Sequence, residues 1–262
     1  MLLGLDHLVV AVADPDTAAV ELERTVGLAC TGGGRHPAWG TFNRLAWLGD
    51  TYIELIGLFD RSLAPTGPVS RAVLEALDAG RPGLVAYAIA SDALDDDLER
   101  VRTAGSDLGD TEVRSRTRPD GEIVRWRAAF PPLLGPSWPP FVIEHELVGA
   151  EWGEPSRAER AELAHPLGGP ARIVALELPV ADVDAVAAAY ARSVGLRFEP
   201  VDPSTAQTVV GSQAVRLRAG EGSPAGAPPV APPVVEIEAV GFAPAPTTRI
   251  VDTLGVRWRV TA

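Results

Sequence analysis

The feature that most constrains this chain of 262 residues is a segment that occurs three times. The segment LVVAVADPDTAAVELERTVGL at 8–28 recurs as LELPVADVDAVAAAYARSVGL at 176–196. A weaker copy, LVAYAIASDALDDDLERVRTAG, lies between them at 84–105. Internal repeats of this kind indicate that one supersecondary unit is used several times in the fold.

Each copy predicts the same local structure. An apolar run rich in Val, Ile and Leu indicates a buried strand, and Asp14, Asp92 and Asp182 stand where helix N-caps accept backbone hydrogen bonds. A segment of helical period follows, and glycine ends it. Runs typical of strands come next. We expect them at 28–32, 41–48 and 51–58, at 112–118, 122–130 and 141–147, and at 196–201, 205–217 and 234–240. The unit is therefore β-α-β-β-β.

The repeats also predict the organisation of the chain. The first two copies form a paired unit over 1–150, a linker covers 151–169, and a third, degenerate unit covers 170–262. Composition predicts a low-complexity loop at 220–233, and the tail has the pattern of a hairpin. The unpaired third unit is expected to pack on the first two or on a partner subunit, because a lone unit exposes one side of its sheet.

Two motifs resemble a known family. The stretch GGRHPAWGTFNRLAWLGDTYIELIG at 33–57 and the opening LDHLVVAVADPDTAA at 5–19 resemble the glyoxalase-like domain family of the vicinal oxygen chelate superfamily, which includes glyoxalase I, bleomycin-type resistance proteins and extradiol dioxygenases. The resemblance implies an α+β fold in which repeated βαβββ units form a curved half-barrel cup. It implies fold more strongly than function, because this scaffold supports several chemistries.

The resemblance also implies a site at the first and last strands of each unit. His7 and Glu54 are expected to meet there, and aligning YIEL with VIEH adds Glu144, whereas Val85 stands at the fourth corner. One imidazole and two carboxylates suit one divalent Fe, Mn, Ni or Zn ion. The alternative has no metal, with His7 hydrogen-bonded inside the cup and Glu54 binding an arginine or the substrate.

The glycine-rich segment before Glu54 supplies further candidates. Its glycines allow the backbone to approach a ligand, and we interpret it as a loop at the rim of the cup. Glu54 and His36 are the predicted catalytic residues, and the predicted substrate-binding residues are Arg35, Asn43, Trp39 and Trp126. The alternative is that this segment only connects two strands. His145 is expected to face away from the site and to be structural.

Composition restricts the partners. A net charge of −12 argues against nucleic acid and anionic membranes as partners, which leaves a small molecule as the expected ligand. The single cysteine and the N-terminal sequence favour a cytoplasmic protein, and the composition is typical of bacteria. A homodimer is a possible assembly. The resemblance implies a metal-assisted lyase, isomerase or dioxygenase that acts on a small polar or aromatic molecule. A non-catalytic binding or sequestering protein and a metal-free isomerase with Glu54 as base are the alternatives.

Overall fold

The first eight strands close into a barrel. A computed structural model describes residues 1–220, 231–240 and 247–262. Around the barrel the strand order is β1-β4-β3-β2-β6-β7-β8-β5. These strands are β1 Leu2–Ala11, β2 Gly32–His36, β3 Thr41–Leu48, β4 Thr51–Leu58, β5 Gly83–Ser91, β6 Glu112–Thr117, β7 Ile123–Ala129 and β8 Phe141–His145.

The pairing of these strands confirms the predicted fold class. In each unit the first strand lies parallel to the last, β1 to β4 and β5 to β8, while β1 and β5 join the two units antiparallel. The paired βαβββ units thus enclose one interior. The expected half-open cup is a closed barrel, because β2 and β6 also pair, through Arg35 and Thr117.

The glycine-rich segment is a strand, which corrects two predictions. It forms β2 and pairs along its length with β3, whereas the strand expected at 28–32 is absent there. A Cβ atom on Gly34 would lie 2.3 Å from the carbonyl oxygen of Thr117 in β6. Glycine therefore lets the two units approach closely enough to close the barrel, which a side chain at this position would prevent.

Helices cover the outside and the ends of the sheets. They are α1 Pro15–Val26, α2 Pro68–Asp78, α3 Leu94–Thr103, α4 Gly149–Trp152, α5 Glu154–Ala161 and α6 Val183–Val194. Asp14 and Asp182 cap α1 and α6 as expected, through the backbone N–H groups of Thr17 and Ala185. Asp92 does not cap α3, which begins after Ala93.

The rest of the chain forms a seven-stranded sheet of order β10-β11-β12-β9-β13-β15-β14. Its strands are β9 Ala171–Val180, β10 Glu199–Asp202, β11 Thr205–Val210, β12 Gln213–Ala219, β13 Val234–Ala239, β14 Thr248–Thr253 and β15 Val256–Thr261. The single strand predicted at 205–217 is a hairpin that turns at Gly211, where φ is +59°. The closing hairpin is present as β14 and β15.

This sheet extends beyond the third unit. β9 lies parallel to β12, as β1 does to β4, so 171–219 is a complete βαβββ unit. β13 then pairs antiparallel with β9 and parallel with β15, as β5 pairs with β1 and β8. The strand expected to end the third unit therefore belongs to an extension of the sheet by β13, β14 and β15. Most of the predicted low-complexity loop falls at 221–230, outside the described residues.

The seven-stranded sheet packs against the outer wall of the barrel. One apolar core joins Leu8 and Val10 of β1 to Leu176 and Leu178 of β9. At the same junction the Tyr87 hydroxyl donates to the Tyr190 hydroxyl at 2.6 Å. The third unit thus packs on the first two, which was one of the two expected arrangements. No helix among the described residues is long and apolar enough to cross a membrane.

Candidate functional site

A cavity lies inside the barrel. Its volume is about 70 Å³. Its lining residues come from all eight strands except β5, and from the segments around α2 and α4. They are His7, His36, Trp39, Thr41, Asn43, Leu45, Tyr52, Glu54, Ile56, Val69, Ser70, Arg114, Arg116, Val124, Trp126, Phe130, Phe141, Ile143, His145, Glu151 and Trp152.

His7 is held by its neighbour in β1. Its Nδ1 atom lies 2.6 Å from Oδ1 of Asp6, although adjacent residues of a strand ordinarily point to opposite faces. The pairing of β1 with β5 shifts in register between Leu5 and His7, and this irregularity accompanies the contact between Asp6 and the cavity histidines. The ring of Tyr52 stacks on His7 with centroids 4.6 Å apart.

Asp6 contacts two histidines, His7 and His145. The same Oδ1 atom lies 3.2 Å from Nε2 of His145. Burial opposes ionisation of Asp6, but the charge of His145 and the hydrogen bonds from His145 and His7 outweigh it and hold the pKa of the carboxyl well below its ordinary value. An ionised carboxylate only accepts hydrogen bonds, so we assign the proton of His7 to Nδ1. The Nε2 atom of His7 then lies on the side of the ring away from Asp6.

Glu54 lies opposite the Nε2 atom of His7. Its Oε2 atom lies 3.8 Å from Nε2 of His7, too far for a hydrogen bond. Its Oε1 atom accepts a hydrogen bond of 2.6 Å from Nδ2 of Asn43 in the neighbouring strand. Glu54 is 7% exposed. One carboxylate oxygen is therefore anchored, and the other is free to meet a ligand.

His36 lies in another part of the cavity wall. Its Nδ1 atom is 2.9 Å from Oγ1 of Thr41. Burial, followed by the charges of Arg116 and His7, lowers the pKa of His36 to about 3. The imidazole is therefore neutral near pH 7, so it can act as a hydrogen-bonding group there but does not begin as a cationic acid.

Two arginines line the cavity, and they differ in their partners. Arg116 donates to the carbonyl of Gly33 at 2.6 Å and to the buried carboxylate of Glu151. Arg114 pairs with the half-exposed Glu112, and its guanidinium carbon lies 4.4 Å from the centroid of the Trp39 ring. Its Nε atom is buried and has no hydrogen-bond partner among the described residues.

A closed circuit of ring contacts surrounds the cavity. Consecutive ring centroids lie 3.8 to 6.4 Å apart, and the guanidinium of Arg114 completes the circuit. We call these residues the aromatic circuit, and in order they are Trp39, His36, Trp126, His145, Trp152, Tyr52, His7, Phe141, Phe130 and Arg114. Such a wall suits a flat ligand.

Most of the predicted site residues meet in this cavity. His7, His36, Asn43, Glu54, Trp39 and Trp126 all line it. Arg35 does not, because alternation along β2 turns it outward while His36 faces inward. It is exposed, and its guanidinium carbon lies 4.7 Å from the centroid of the Phe59 ring. The structure therefore places Arg35 outside the cavity that the other predicted residues line.

Glu144 is also absent from the lining. Phe141, Ile143 and His145 are the inward residues of β8, so Glu144 points outward, where its Oε2 atom accepts a hydrogen bond of 2.9 Å from Nε of Arg127. The alignment of YIEL with VIEH was wrong by one residue, so it assigned Glu144 to the inward face of β8. His145, which was expected to face away, is the residue that points inward.

Several lining residues were not predicted. Asp6 was not among the predicted site residues, although an aspartate beside His7 is a signal for an oriented imidazole. Glu151 and Trp152 belong to the segment expected to be a linker. The Trp152 ring stacks on His145 with centroids 3.8 Å apart, so this segment helps to build the site. No pattern in the linker distinguished these residues beforehand.

The donor set does not fit a catalytic metal. The expected set of His7, Glu54 and Glu144 is not assembled, because Glu144 lies on the outer face. Among the residues that the structure describes, no group of three or more His, Cys, Asp or Glu side chains is placed to hold an ion. His7 and Glu54 alone fall short of the three protein ligands typical of catalytic sites.

Comparisons with known proteins agree with this architecture. The model of a family described as glyoxalase-like domain matches residues 5–194, more than two thirds of the chain. A hypothetical protein from Staphylococcus aureus shares the fold with a TM-score of 0.77 at 12% identity, over 98% of both chains. No curated protein matches the sequence.

Two enzymes of one kind also appear among the similar structures. Methylmalonyl-CoA epimerase from Mycobacterium tuberculosis has a TM-score of 0.39 and 21% identity, over 55% of this chain and 88% of its own. A Streptomyces coelicolor methylmalonyl-CoA epimerase in complex with 2-nitronate-propionyl-CoA has a TM-score of 0.42 and 17% identity, over 57% of this chain and 99% of its own.

Proposed function

The chain belongs to the glyoxalase-like domain family, and from that premise we propose that it is a metal-free acid–base enzyme of the isomerase or lyase type. Its substrate is a small molecule held inside the barrel. The observation that carries this proposal is the buried gap of 3.8 Å between Nε2 of His7 and Oε2 of Glu54. Two bases that face each other without a shared hydrogen bond can receive an acidic proton of a substrate placed between them.

The contacts around the pair assign the roles. Asp6 holds His7 through Nδ1, which leaves Nε2 to act on the substrate. Asn43 holds Glu54 through Oε1, which leaves Oε2 to act on the substrate. One of the two groups removes a proton from a carbon next to a carbonyl to leave an enolate, and the same group, now protonated, returns the proton to that enolate. The neutral His36 hydrogen-bonds the substrate in the same cavity.

The donor set gives no support to a metal-assisted dioxygenase. That chemistry needs a redox-active ion with open positions, and the pair of His7 and Glu54 offers two protein ligands where a facial set needs three. We therefore derive no step through a metal. Acid–base chemistry requires only the groups that the chain itself supplies, with the substrate providing the proton that moves.

Exchange of carbon-bound hydrogen tests the proposal. Small enolisable carbonyl compounds are incubated with the protein in D₂O, and loss of the proton signal is followed by NMR. Glu54→Gln is expected to slow the exchange by about a hundredfold or more, the scale of general base catalysis. The matched control is Glu144→Gln, which alters a glutamate on the outer face and is expected to keep the wild-type rate.

A second candidate is a binding or sequestering protein without chemistry. The aromatic circuit favours it, because stacking against flat rings retains a ligand without changing it. In that case a compound would bind with an affinity that survives Glu54→Gln, while no tested compound that binds the wild-type protein would exchange hydrogen. Exchange that depends on Glu54 contradicts this candidate.

The remaining assignments belong to the same proposal. A cytoplasmic location fits the single cysteine, and the net charge of −12 favours a small molecule over nucleic acid or an anionic membrane as the partner. The cavity is built by one chain, so a homodimer is not required for the proposed reaction.

A further inference from the structure

Arg114 lines the cavity but has no role in the proposed proton transfer. Its side chain is 8% exposed, and its Nε atom is buried without a hydrogen-bond partner among the described residues. An unpaired N–H of a buried guanidinium is costly to leave unsatisfied. The flat face of the group is held, because its central carbon lies 4.4 and 4.9 Å from the ring centroids of Trp39 and Phe130.

Arg116 provides a contrast within the same cavity. Its two terminal nitrogens donate to the Gly33 carbonyl and to Glu151, a carboxylate that is itself buried. The charge of Arg116 is therefore balanced inside the protein. The charge of Arg114 is balanced only by Glu112, whose side chain is 51% exposed and screened by water. Arg114 is thus the better placed of the two to receive an anion in the cavity.

We propose that Arg114 binds the carboxylate of a small, planar aromatic monocarboxylic acid whose ring lies within the aromatic circuit. The other end of the ligand carries the reacting atom and lies at His7 and Glu54. This part of the inference rests on the proposed function. Phe130 and Phe141 lie between Arg114 and His7 along the circuit and offer an apolar surface for the ring.

The surroundings favour one negative charge over two. Arg114 presents a single unpartnered buried N–H, whereas a phosphate dianion needs several donors. The cavity already contains the carboxylate of Glu54, and Asp6 lies behind His7. A second negative charge on the ligand would be repelled at close range in a site of low polarity.

The cavity restricts the ligand to a small body. Its volume of about 70 Å³ is below the roughly 150 Å³ of an apolar cavity that accommodates benzene, so the ligand has one ring at most. The rings of the aromatic circuit favour a planar ligand over a puckered one, because flat faces stack on each other. The circuit thus distinguishes an aromatic acid from an aliphatic acid of the same length.

Calorimetric titration of the full chain tests the proposal with three probes. Benzoate carries the charge, benzamide has the same shape without it, and cyclohexanecarboxylate has the charge on a puckered ring. Benzoate is expected to bind at least about tenfold more tightly than benzamide, the ratio typical of one hydrogen bond to a charged group, and more tightly than cyclohexanecarboxylate. Equal binding of benzoate and benzamide overturns the carboxylate site, and equal binding of the two acids overturns the planar class.

Variants then locate the charge effect. Arg114→Met is expected to reduce the ratio of benzoate to benzamide affinity to about one, as the lost hydrogen bond predicts. If Arg114→Met does not fold, Arg114→Gln replaces it with the same expectation. Arg125→Met removes an exposed arginine from β7 and is expected to keep the wild-type ratio. A ratio that persists without Arg114, or is lost without Arg125, contradicts the assignment.

The outcome is separable from that of the proposed function, because benzoate has no acidic carbon-bound hydrogen and reports binding alone. Benzoate selectivity that depends on Arg114, without hydrogen exchange in any acid that binds, supports the anion site and contradicts the enzyme. Exchange that depends on Glu54, with no selectivity for benzoate, supports the enzyme and contradicts the anion site.

Discussion

The Nδ1 atom of His7 lies 2.6 Å from the carboxylate of Asp6, the preceding residue of the same strand. The contact fixes the side of the ring that carries the proton and leaves the other nitrogen facing Glu54. Because an ionised aspartate accepts hydrogen bonds and cannot donate them, its charge and its position both contribute to this orientation.

Asp6→Asn is expected to disturb the proton position on His7, because an amide can donate a hydrogen bond as well as accept one. Long-range ¹⁵N NMR should find Nδ1–H in the wild-type protein and a mixture of tautomers in the variant. The exchange rate should fall by about a hundredfold, as when a general base is misoriented. A variant that keeps both the tautomer and the rate would show that Asp6 is only a structural residue.

Removal of divalent metals is expected to leave hydrogen exchange unchanged. The chain offers His7 and Glu54 as a pair, and Glu144 is engaged by Arg127 outside the barrel. Dialysis against a chelator followed by elemental analysis and the exchange assay checks this. One equivalent of a transition metal that both His7→Gln and Glu54→Gln lose, with loss of activity on dialysis, would contradict the metal-free assignment.

Stability is expected to decrease as the pH falls below about 6.5, the ordinary pKa of histidine. Burial lowers the pKa of His36 to about 3 and also lowers that of His165, so the unfolded chain binds protons that the folded chain does not. The free energy of unfolding then decreases by up to about 1.4 kcal/mol per pH unit for each such histidine.

Urea titrations at about pH 7 and about pH 5 measure this slope above the range in which Asp and Glu ordinarily titrate. His36→Gln should reduce the slope, because the variant no longer has this histidine to keep neutral. An unchanged slope in His36→Gln would mean that His36 does not contribute to the pH dependence.

Gly34→Ala is expected to destabilise the barrel by roughly 1–3 kcal/mol, the usual cost of overpacking. The new methyl group would meet the carbonyl oxygen of Thr117 at 2.3 Å, where β2 and β6 join the two units. Gly109→Ala is the control, because its nearest contact would be an ordinary 3.5 Å from the carbonyl oxygen of Phe130. Equal unfolding midpoints for the two variants in urea would contradict this account of the seam.

Tyr190→Phe is expected to cost more than Tyr87→Phe. The Tyr87 hydroxyl donates to Tyr190, which in turn donates to the carbonyl of Trp138 at 2.9 Å. Removing the Tyr190 hydroxyl leaves a buried donor unsatisfied at a cost of about 1–3 kcal/mol, whereas removing that of Tyr87 leaves the second bond in place. The double variant should recover part of the loss. Unfolding free energies of the three variants test this order.

The repeats made the fold class predictable, because matching strands and helices recur in sequence and require equivalent pairings. The proximity of His7 and Glu54 was implied by the family resemblance, because β1 and β4, the first and last strands of the first unit, lie side by side. The strand at 32–36 was not, because GGGRH has neither the alternation nor the β-branched residues that indicate a strand. Its strand geometry is determined by neighbours on both sides.

The errors in the site arise from the faces of strands. Glu144 and His145 are adjacent, so an error of one residue in the alignment reversed their faces. Glu144 lies outside and pairs with Arg127, and the imidazole of His145 points inward. Asp6 contacts its neighbour His7 where the pairing of β1 with β5 shifts in register, and the local sequence does not reveal this shift. Long-range pairing decided both cases.

The third unit changes how substitutions in this chain should be read. In the register of the parallel strands, Ala175 corresponds to His7 and Arg216 to Glu54, and Arg216 forms an ion pair of 3.0 Å with Glu236. The third unit therefore keeps the strand pairing of the first without its histidine and glutamate. A substitution at Glu236 is to be judged by its effect on folding, whereas one at Glu54 alters a carboxylate that lines the cavity.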